Sequence, residues 1–138
     1  MSITLTHTPA VGAPTTLALS DRLVWTDEHA WQAPQMATDY GTQGDLMVHV
    51  RARNAGRPIT LEGQESAAWM TLAQVQALQA WADMPGAQFT LHLRGLDRTV
   101  MFDATEGAAI DARPLWPLLD GEQTADMPMQ PTLKFIEI

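Results

Sequence analysis

One stretch of the chain, residues 56–102, constrains the fold most because it combines three kinds of local signal. It begins with G-R-P-I-T-L-E-G, in which a proline opens a short β-strand, where its missing N–H is tolerated. A helical pattern starts near Thr71, and F-T-L-H-L-R-G-L-D-R-T-V-M-F then alternates on both sides of a turn. We predict a strand, a single helix and a β-hairpin whose turn lies at 95–97.

The helix in this stretch is predicted from its cap and its apolar stripe. Thr71 is a good N-cap for residues 72–83, because its hydroxyl can accept a hydrogen bond from a first-turn N–H. Apolar residues recur every three or four positions, at Leu72, Val75, Leu78 and Ala82. A helix of about 12 residues is marginal alone in water, so we expect its stripe to pack on a sheet.

Alternating apolar and polar residues indicate further strands. These lie at 2–6, 15–19, 45–53, 109–112 and 132–138. The last has apolar residues on both faces, which predicts a central or covered strand. Residues 26–44 are loop-rich, and 113–131 contain four prolines, which is typical of an extended arm. We therefore predict one α+β domain over 1–138, mainly an antiparallel β-sandwich or open barrel with one packed α-helix.

Length and composition limit the number of domains and the kinds of partner that the chain can have. Its 138 residues suit one domain, and the lack of cysteine excludes disulfides. Its 16 acidic and 8 basic residues give a net charge of −8, which disfavours specific binding to nucleic-acid phosphates. The first residues lack the basic region of a signal peptide, and no apolar run approaches the ~20 residues of a membrane helix. We expect a soluble protein with no nucleic-acid or membrane partner.

Residues capable of catalysis or metal binding form no recognisable pattern. The histidines, His7, His29, His49 and His92, show no metal-ligand spacing, so we expect no metal site. Asp27, Glu28 and His29 are adjacent and could do acid–base chemistry, but neighbours in a loop usually point apart. No nucleophile elbow, phosphate-binding loop or dinucleotide fingerprint is present. We predict a non-enzymatic protein without a cofactor.

Large apolar side chains in loop-like segments suggest an interface. Trp81 is expected in the core beside the helix, and Trp69 to cover the helix start. Two explanations remain open for the rest: docking on a neighbouring subunit, or folding back on their own domain. The candidate subunit-interface residues are Trp25, Trp31, Leu115, Trp116, Leu118 and Leu119.

Several short motifs resemble small proteins encoded in the tail-gene clusters of long-tailed bacteriophages and prophages. They are L-x-W-x-D-E-x-x-W at 23–31, G-R-P-I-T-L-E-G at 56–63, the helix with a preceding Trp, the T-L-H-L hairpin, and the final acidic-hydrophobic strand. The layout also resembles the tail-tube fold, shared by the distal tail proteins that join tube to baseplate. We therefore expect a minimal, ring-only version, without the large C-terminal carbohydrate-binding-like domain of longer distal tail proteins.

The resemblance implies a tail-tube-like virion protein that is made in the bacterial host cytoplasm. It implies a homo-oligomeric ring, with six subunits in the tail-tube fold, through which DNA passes. Its neighbours would be tail-tube and baseplate hub proteins.

A second hypothesis comes from the acidity of the chain. A small prophage-encoded binding protein, an inhibitor or an assembly chaperone, could use an acidic surface to mimic nucleic acid while acting on a protein partner. The mass in solution separates the two hypotheses, because the first predicts rings and the second a small monomer.

Overall fold

Antiparallel β-structure and one α-helix make up most of the computed structural model, which describes residues 3–63, 68–116 and 119–138. The strands are β1 (Ile3–His7), β2 (Thr15–Leu19), β3 (Val24–Trp25), β4 (Pro34–Tyr40), β5 (Leu46–Ala52), β6 (Pro58–Glu62), β7 (Met70–Thr71), β8 (Phe89–Leu93), β9 (Leu96–Phe102), β10 (Ile110–Pro114) and β11 (Pro128–Glu137). The helix α1 is Leu72–Ala82, and a 3-10 turn covers Asp120–Glu122. These elements confirm the predicted mainly antiparallel α+β class.

Among the strands of the described ranges, nine form one sheet and two form another. The large sheet runs β2-β1-β8-β9-β11-β6-β3, with β10 and β7 also paired to β11. Strands β4 and β5 pair only with each other among the described residues. Both ends of the large sheet contribute to one apolar core, which joins Leu5 and Leu19 to Trp25 and Leu61. Both ends of the large sheet therefore pack on a single core, and the β4–β5 hairpin lies outside the sheet.

Strand β11 is the centre of the large sheet, as the apolar residues on both its faces predicted. One of its edges pairs with β6 and β7, and the other with β9 and β10. Leu133 is fully buried and Phe135 nearly so, and the Phe135 ring lies 4.9 Å from that of Phe102. The strand begins at Pro128, four residues before the predicted start, and so takes in the end of the segment expected to be an arm.

The prediction of a Pro-rich arm over 113–131 is wrong at both ends. Its first residues belong to β10 and its last to β11, where Pro131 is fully buried. Proline is tolerated there because Pro131 faces the gap between β6 and β7. Its carbonyl accepts from Gly63 N at 2.8 Å, and its missing N–H falls in the same gap.

The middle of the same segment lies against the start of the helix. The backbone N–H of Leu72 donates to Met127 O at 3.1 Å, and that of Ala73 donates to Ala125 O at 3.1 Å. These are first-turn donors, which have no partner inside a helix. Residues 125–127 therefore fold back on their own domain, which was the competing explanation for the arm.

The helix matches its prediction closely. Thr71 caps it, accepting from Gln74 N at 3.3 Å, while the Gln74 side chain accepts from Thr71 N at 3.0 Å. Gln74 thereby closes a capping box at the start of the helix. Val75 and Leu78 are buried against the sheet, and Trp81 stacks on Phe89 with ring centroids 5.5 Å apart.

The hairpin after the helix forms as predicted, with its turn one residue earlier. Phe89, Leu91 and Leu93 face the core, and Leu93 pairs with Leu96. The turn is Arg94–Gly95, and both residues have positive φ, 56° and 74°. Two positive φ values are the requirement of the tight turn that matches strand twist, which explains the glycine.

We expect Gly63→Ala to destabilise the fold by about 1–3 kcal/mol, because a Cβ there would overpack two backbone segments. That Cβ would lie 2.8 Å from Ala68 O and 2.9 Å from Pro131 O. Urea denaturation measures the change. The control is Gly121→Ala, where a Cβ would meet nothing within 4 Å. Equal stability of the two variants would contradict the prediction.

Candidate functional site

A projecting β-hairpin occupies much of the segment predicted to be loop-rich. That prediction, over 26–44, is wrong for Pro34–Tyr40, which form β4. The connection to β5 is closed by Gly41 N donating to Asp45 O at 2.8 Å, and Gly44 has the positive φ of 85° that its bend needs. The hairpin keeps its strand register throughout, from Pro34 opposite Ala52 to Tyr40 opposite Leu46.

The two faces of this hairpin differ in chemistry. Residues directly opposite each other in antiparallel strands share a face. The apolar face carries the pairs Met36–Val50, Thr38–Val48 and Tyr40–Leu46. The other face carries Gln35–Arg51, Ala37–His49 and Asp39–Met47. The predicted alternation in β5 is confirmed, but its apolar side chains do not face the core.

Both faces of the hairpin are open to solvent. Every residue of β4 and β5 is exposed, and the large side chains of the apolar face are 48–71% exposed. A two-stranded hairpin is marginally stable alone in water, and a contiguous exposed apolar patch of this kind marks an interaction site. The apolar face of the hairpin is therefore the strongest candidate for a docking surface on this molecule.

Alternating arginine and tryptophan side chains lie at the base of the hairpin, and we call them the Arg–Trp stack. The order is Arg53, Trp31, Arg57, Trp25 and Arg98, with guanidinium-to-ring distances of 5.0, 5.9, 4.6 and 5.2 Å. Cation–π attraction favours each contact. The stack connects the hairpin, through Arg53 at its end, to the core of the large sheet.

Hydrogen bonds fix the hairpin to this stack. Arg53 N donates to Ala33 O at 2.8 Å and closes the base of the hairpin, while the Arg53 guanidinium donates to Gln32 O. Arg57 Nη2 donates to Glu28 O at 2.8 Å in the same loop. The loop 26–33 is therefore held between the hairpin and the sheet.

The prediction that Trp25 belongs to a subunit interface is wrong. Trp25 lies in β3 opposite Leu61 and is only 5% exposed, because the core covers one side and arginines the other. Trp31 is half-buried within the Arg–Trp stack. The spacing of these tryptophans gave no sign of the stack, since its arginines come from other parts of the chain.

The other interface candidates lie between β10 and the 3-10 turn. Trp116 is 52% exposed and Leu119 73%, while Leu115 is half-buried. Leu118 lies outside the described residues. A groove here is lined by Trp69, Arg113, Pro114, Leu115, Trp116 and Gln130. The subunit-interface role of Trp116 and Leu119 stays a prediction.

We expect Trp116→Ala to change the free energy of unfolding by less than about 1 kcal/mol, because the side chain is half exposed. Assembly in solution should weaken if Trp116 docks on another subunit. Urea denaturation and sedimentation measure the two effects. The control is Trp81→Ala, which removes a ring stacked on Phe89 and should destabilise the subunit. A Trp116→Ala protein that unfolds, or that assembles like wild type, would show that Trp116 is not an interface residue.

The cluster Asp27, Glu28 and His29 is held by structural contacts. The carboxylate of Asp27 accepts from Thr60 N at 2.9 Å and from Thr60 Oγ1 at 3.0 Å. Glu28 pairs with Arg94 at 2.9 Å, while His29 is exposed and 3.8 Å from Glu28. No group of three or more potential metal ligands occurs within residues 3–63, 68–116 and 119–138.

Over the same three ranges, no helix has the length and apolar character needed to span a bilayer. No protein-family description, curated protein or solved structure matches this chain.

Proposed function

We propose that the protein is a non-enzymatic structural subunit of a bacteriophage tail, and that its copies form a ring at the junction of tail tube and baseplate. The proposal follows the resemblance of its motifs to small tail proteins. The observation that carries it is the apolar face of the β4–β5 hairpin, which is exposed in the isolated subunit.

A projecting hairpin suits head-to-tail assembly. In a ring, each subunit uses one surface toward one neighbour and a different surface toward the other. The apolar face supplies the first surface, and an exposed apolar region such as that of Trp116 and Leu119 is a candidate for the second. Burial of five large side chains on the hairpin would stabilise the contact through the hydrophobic effect.

The negative net charge of the chain is compatible with DNA passing through the proposed ring. A net charge of −8 repels a phosphate backbone, so DNA would slide past the ring without adhering to it. A tail subunit of this kind also requires no catalytic residues.

Two measurements test the proposal. Purified protein should sediment as a closed oligomer, and negative-stain microscopy should show rings. Phage or prophage particles that lack the protein should have missing or unjoined tails. Normal infectious particles without it would contradict the proposed function.

The acidic surface supports a second candidate, a prophage-encoded inhibitor or assembly chaperone that binds a different protein. In that case the hairpin would dock on the partner instead of another copy. A stable monomer at all concentrations, forming a one-to-one complex with a host or phage protein, would favour this candidate.

A further inference from the structure

The Arg–Trp stack contains buried side-chain N–H groups that have no hydrogen-bond acceptor. Within the described residues, four buried side-chain nitrogens lack an acceptor: Trp25 Nε1, Trp31 Nε1, Arg57 Nε and Arg98 Nε. All four belong to the stack, and Trp25 is more than nine-tenths buried. A buried donor without a partner is destabilising. A group that only accepts hydrogen bonds would relieve this cost.

The arginines in and around the stack outnumber the carboxylates that pair with them. Arg53, Arg57, Arg94 and Arg98 make up four of the eight basic residues in a chain of net charge −8. Glu28 pairs with Arg94, and Glu137 pairs with Arg98 at 3.3 Å.

The other two arginines, Arg53 and Arg57, have no ion pair in the described part of the chain. They donate to the backbone carbonyls of Gln32 and Glu28. Asp27, the remaining nearby carboxylate, is held by Thr60. Two guanidinium groups, one of them half-buried, are therefore without an anion.

We propose that the Arg–Trp stack is an oxyanion-binding site, entered from the end formed by Arg53 and Trp31. That end is the accessible one, because Arg53 is exposed and Trp31 half-buried, whereas Trp25 is covered. A planar guanidinium presents paired N–H groups that match the oxygens of a carboxylate or phosphate.

Two sources supply this chemistry: a free phosphate ion, or a carboxylate from a second copy of this acidic chain. Both carry a negative charge and at least two unprotonated oxygens that accept hydrogen bonds. The inference does not depend on ring formation, because a free anion would bind a monomer equally well.

The test is a titration of nitrogen-15-labelled protein with sodium phosphate at constant ionic strength, followed by the indole N–H signals of the five tryptophans. The signal of Trp31, at the accessible end, should shift most and saturate, while those of Trp69, Trp81 and Trp116 stay near their starting positions. Shifts that grow without saturation, or that spread evenly over all five tryptophans, would overturn the proposal.

Variants locate the site. We expect Arg57→Gln to weaken phosphate binding by about tenfold or more, because a charge-assisted hydrogen bond is lost. Arg53→Gln, at an exposed position, gives the same test if Arg57→Gln does not fold. The control is Arg22→Gln, an exposed arginine outside the stack, which should bind like wild type. Unchanged binding in both stack variants would overturn the proposal.

The source of the oxyanion is found by repeating the titration with sodium acetate while the mass is followed by sedimentation. If a second copy supplies a carboxylate, saturating acetate or phosphate will dissociate the oligomer, and Arg57→Gln will not assemble. If a free phosphate is the ligand, the mass will stay constant while the indole signals saturate. Either result supports an oxyanion site, and they differ only in the source.

Discussion

Replacing Leu78 by alanine should lower the free energy of unfolding by about 2–5 kcal/mol, the usual cost of a large-to-small change in a core. Leu78 is fully buried on the face of α1 that lies against β7, β10 and β11. A short helix depends on such packing, because its own backbone hydrogen bonds do not stabilise it in water. Urea denaturation of the folded subunit measures the change.

The matched control for this variant is Gln76→Ala, on the exposed side of the same helix. It should change stability by no more than about 0.5 kcal/mol, since it removes no packed atoms. A loss well under 1 kcal/mol for Leu78→Ala would show that the helix does not rely on its apolar stripe.

Sequence patterns predicted secondary structure and burial best where the signals lie within one short segment of the chain. Thr71 and the spacing of Val75 and Leu78 are local signals, and they predicted the helix and its buried face. The alternation of Phe89, Leu91 and Leu93 likewise predicted an inward face that the structure has. In each case the apolar period of the segment agrees with its burial in the same subunit.

The loop-rich interpretation failed for β4 because the alternation of apolar and polar residues in that strand is weak. Its residues that share the apolar face include Pro34 and Thr38, and glycine follows soon after at Gly41. Residues Pro34–Tyr40 form a strand because they hydrogen-bond to β5. The periodicity of a single segment gives no information on such pairing. The arm was misinterpreted for a similar reason, since Pro131 fits a central strand only where its edge faces a gap.

The Arg–Trp stack could not have been predicted from sequence at all. Its five residues come from a loop and from strands or their ends, and none is adjacent to another in the chain. Trp25 and Trp31 were recognised as important, but as candidates for an interface. The arginines that cover them were counted only toward the net charge, because stacking is set by the three-dimensional arrangement of the strands.

Placing lysine at both Val48 and Val50 should abolish self-assembly while leaving the subunit folded. Val48 is 48% and Val50 57% exposed. Burying the exposed part of both contributes about 1.5–3 kcal/mol, so its loss alone should weaken association by about 10-fold or more. Two buried lysine charges would weaken it further. Stability should change little, because both residues are exposed and lie outside the large sheet. Sedimentation and urea denaturation measure these two effects.

The control is lysine at both Met47 and His49, on the opposite face of the same strand. It adds the same number of lysines within β5, so it separates loss of the apolar face from a general effect of charge or of strand propensity. We expect it to assemble almost as well as wild type. If the two double variants assemble equally, the apolar face of the hairpin is not the contact between copies. If only Val48→Lys with Val50→Lys fails, burial of that face is what holds one subunit to the next, because the rest of the strand is unchanged.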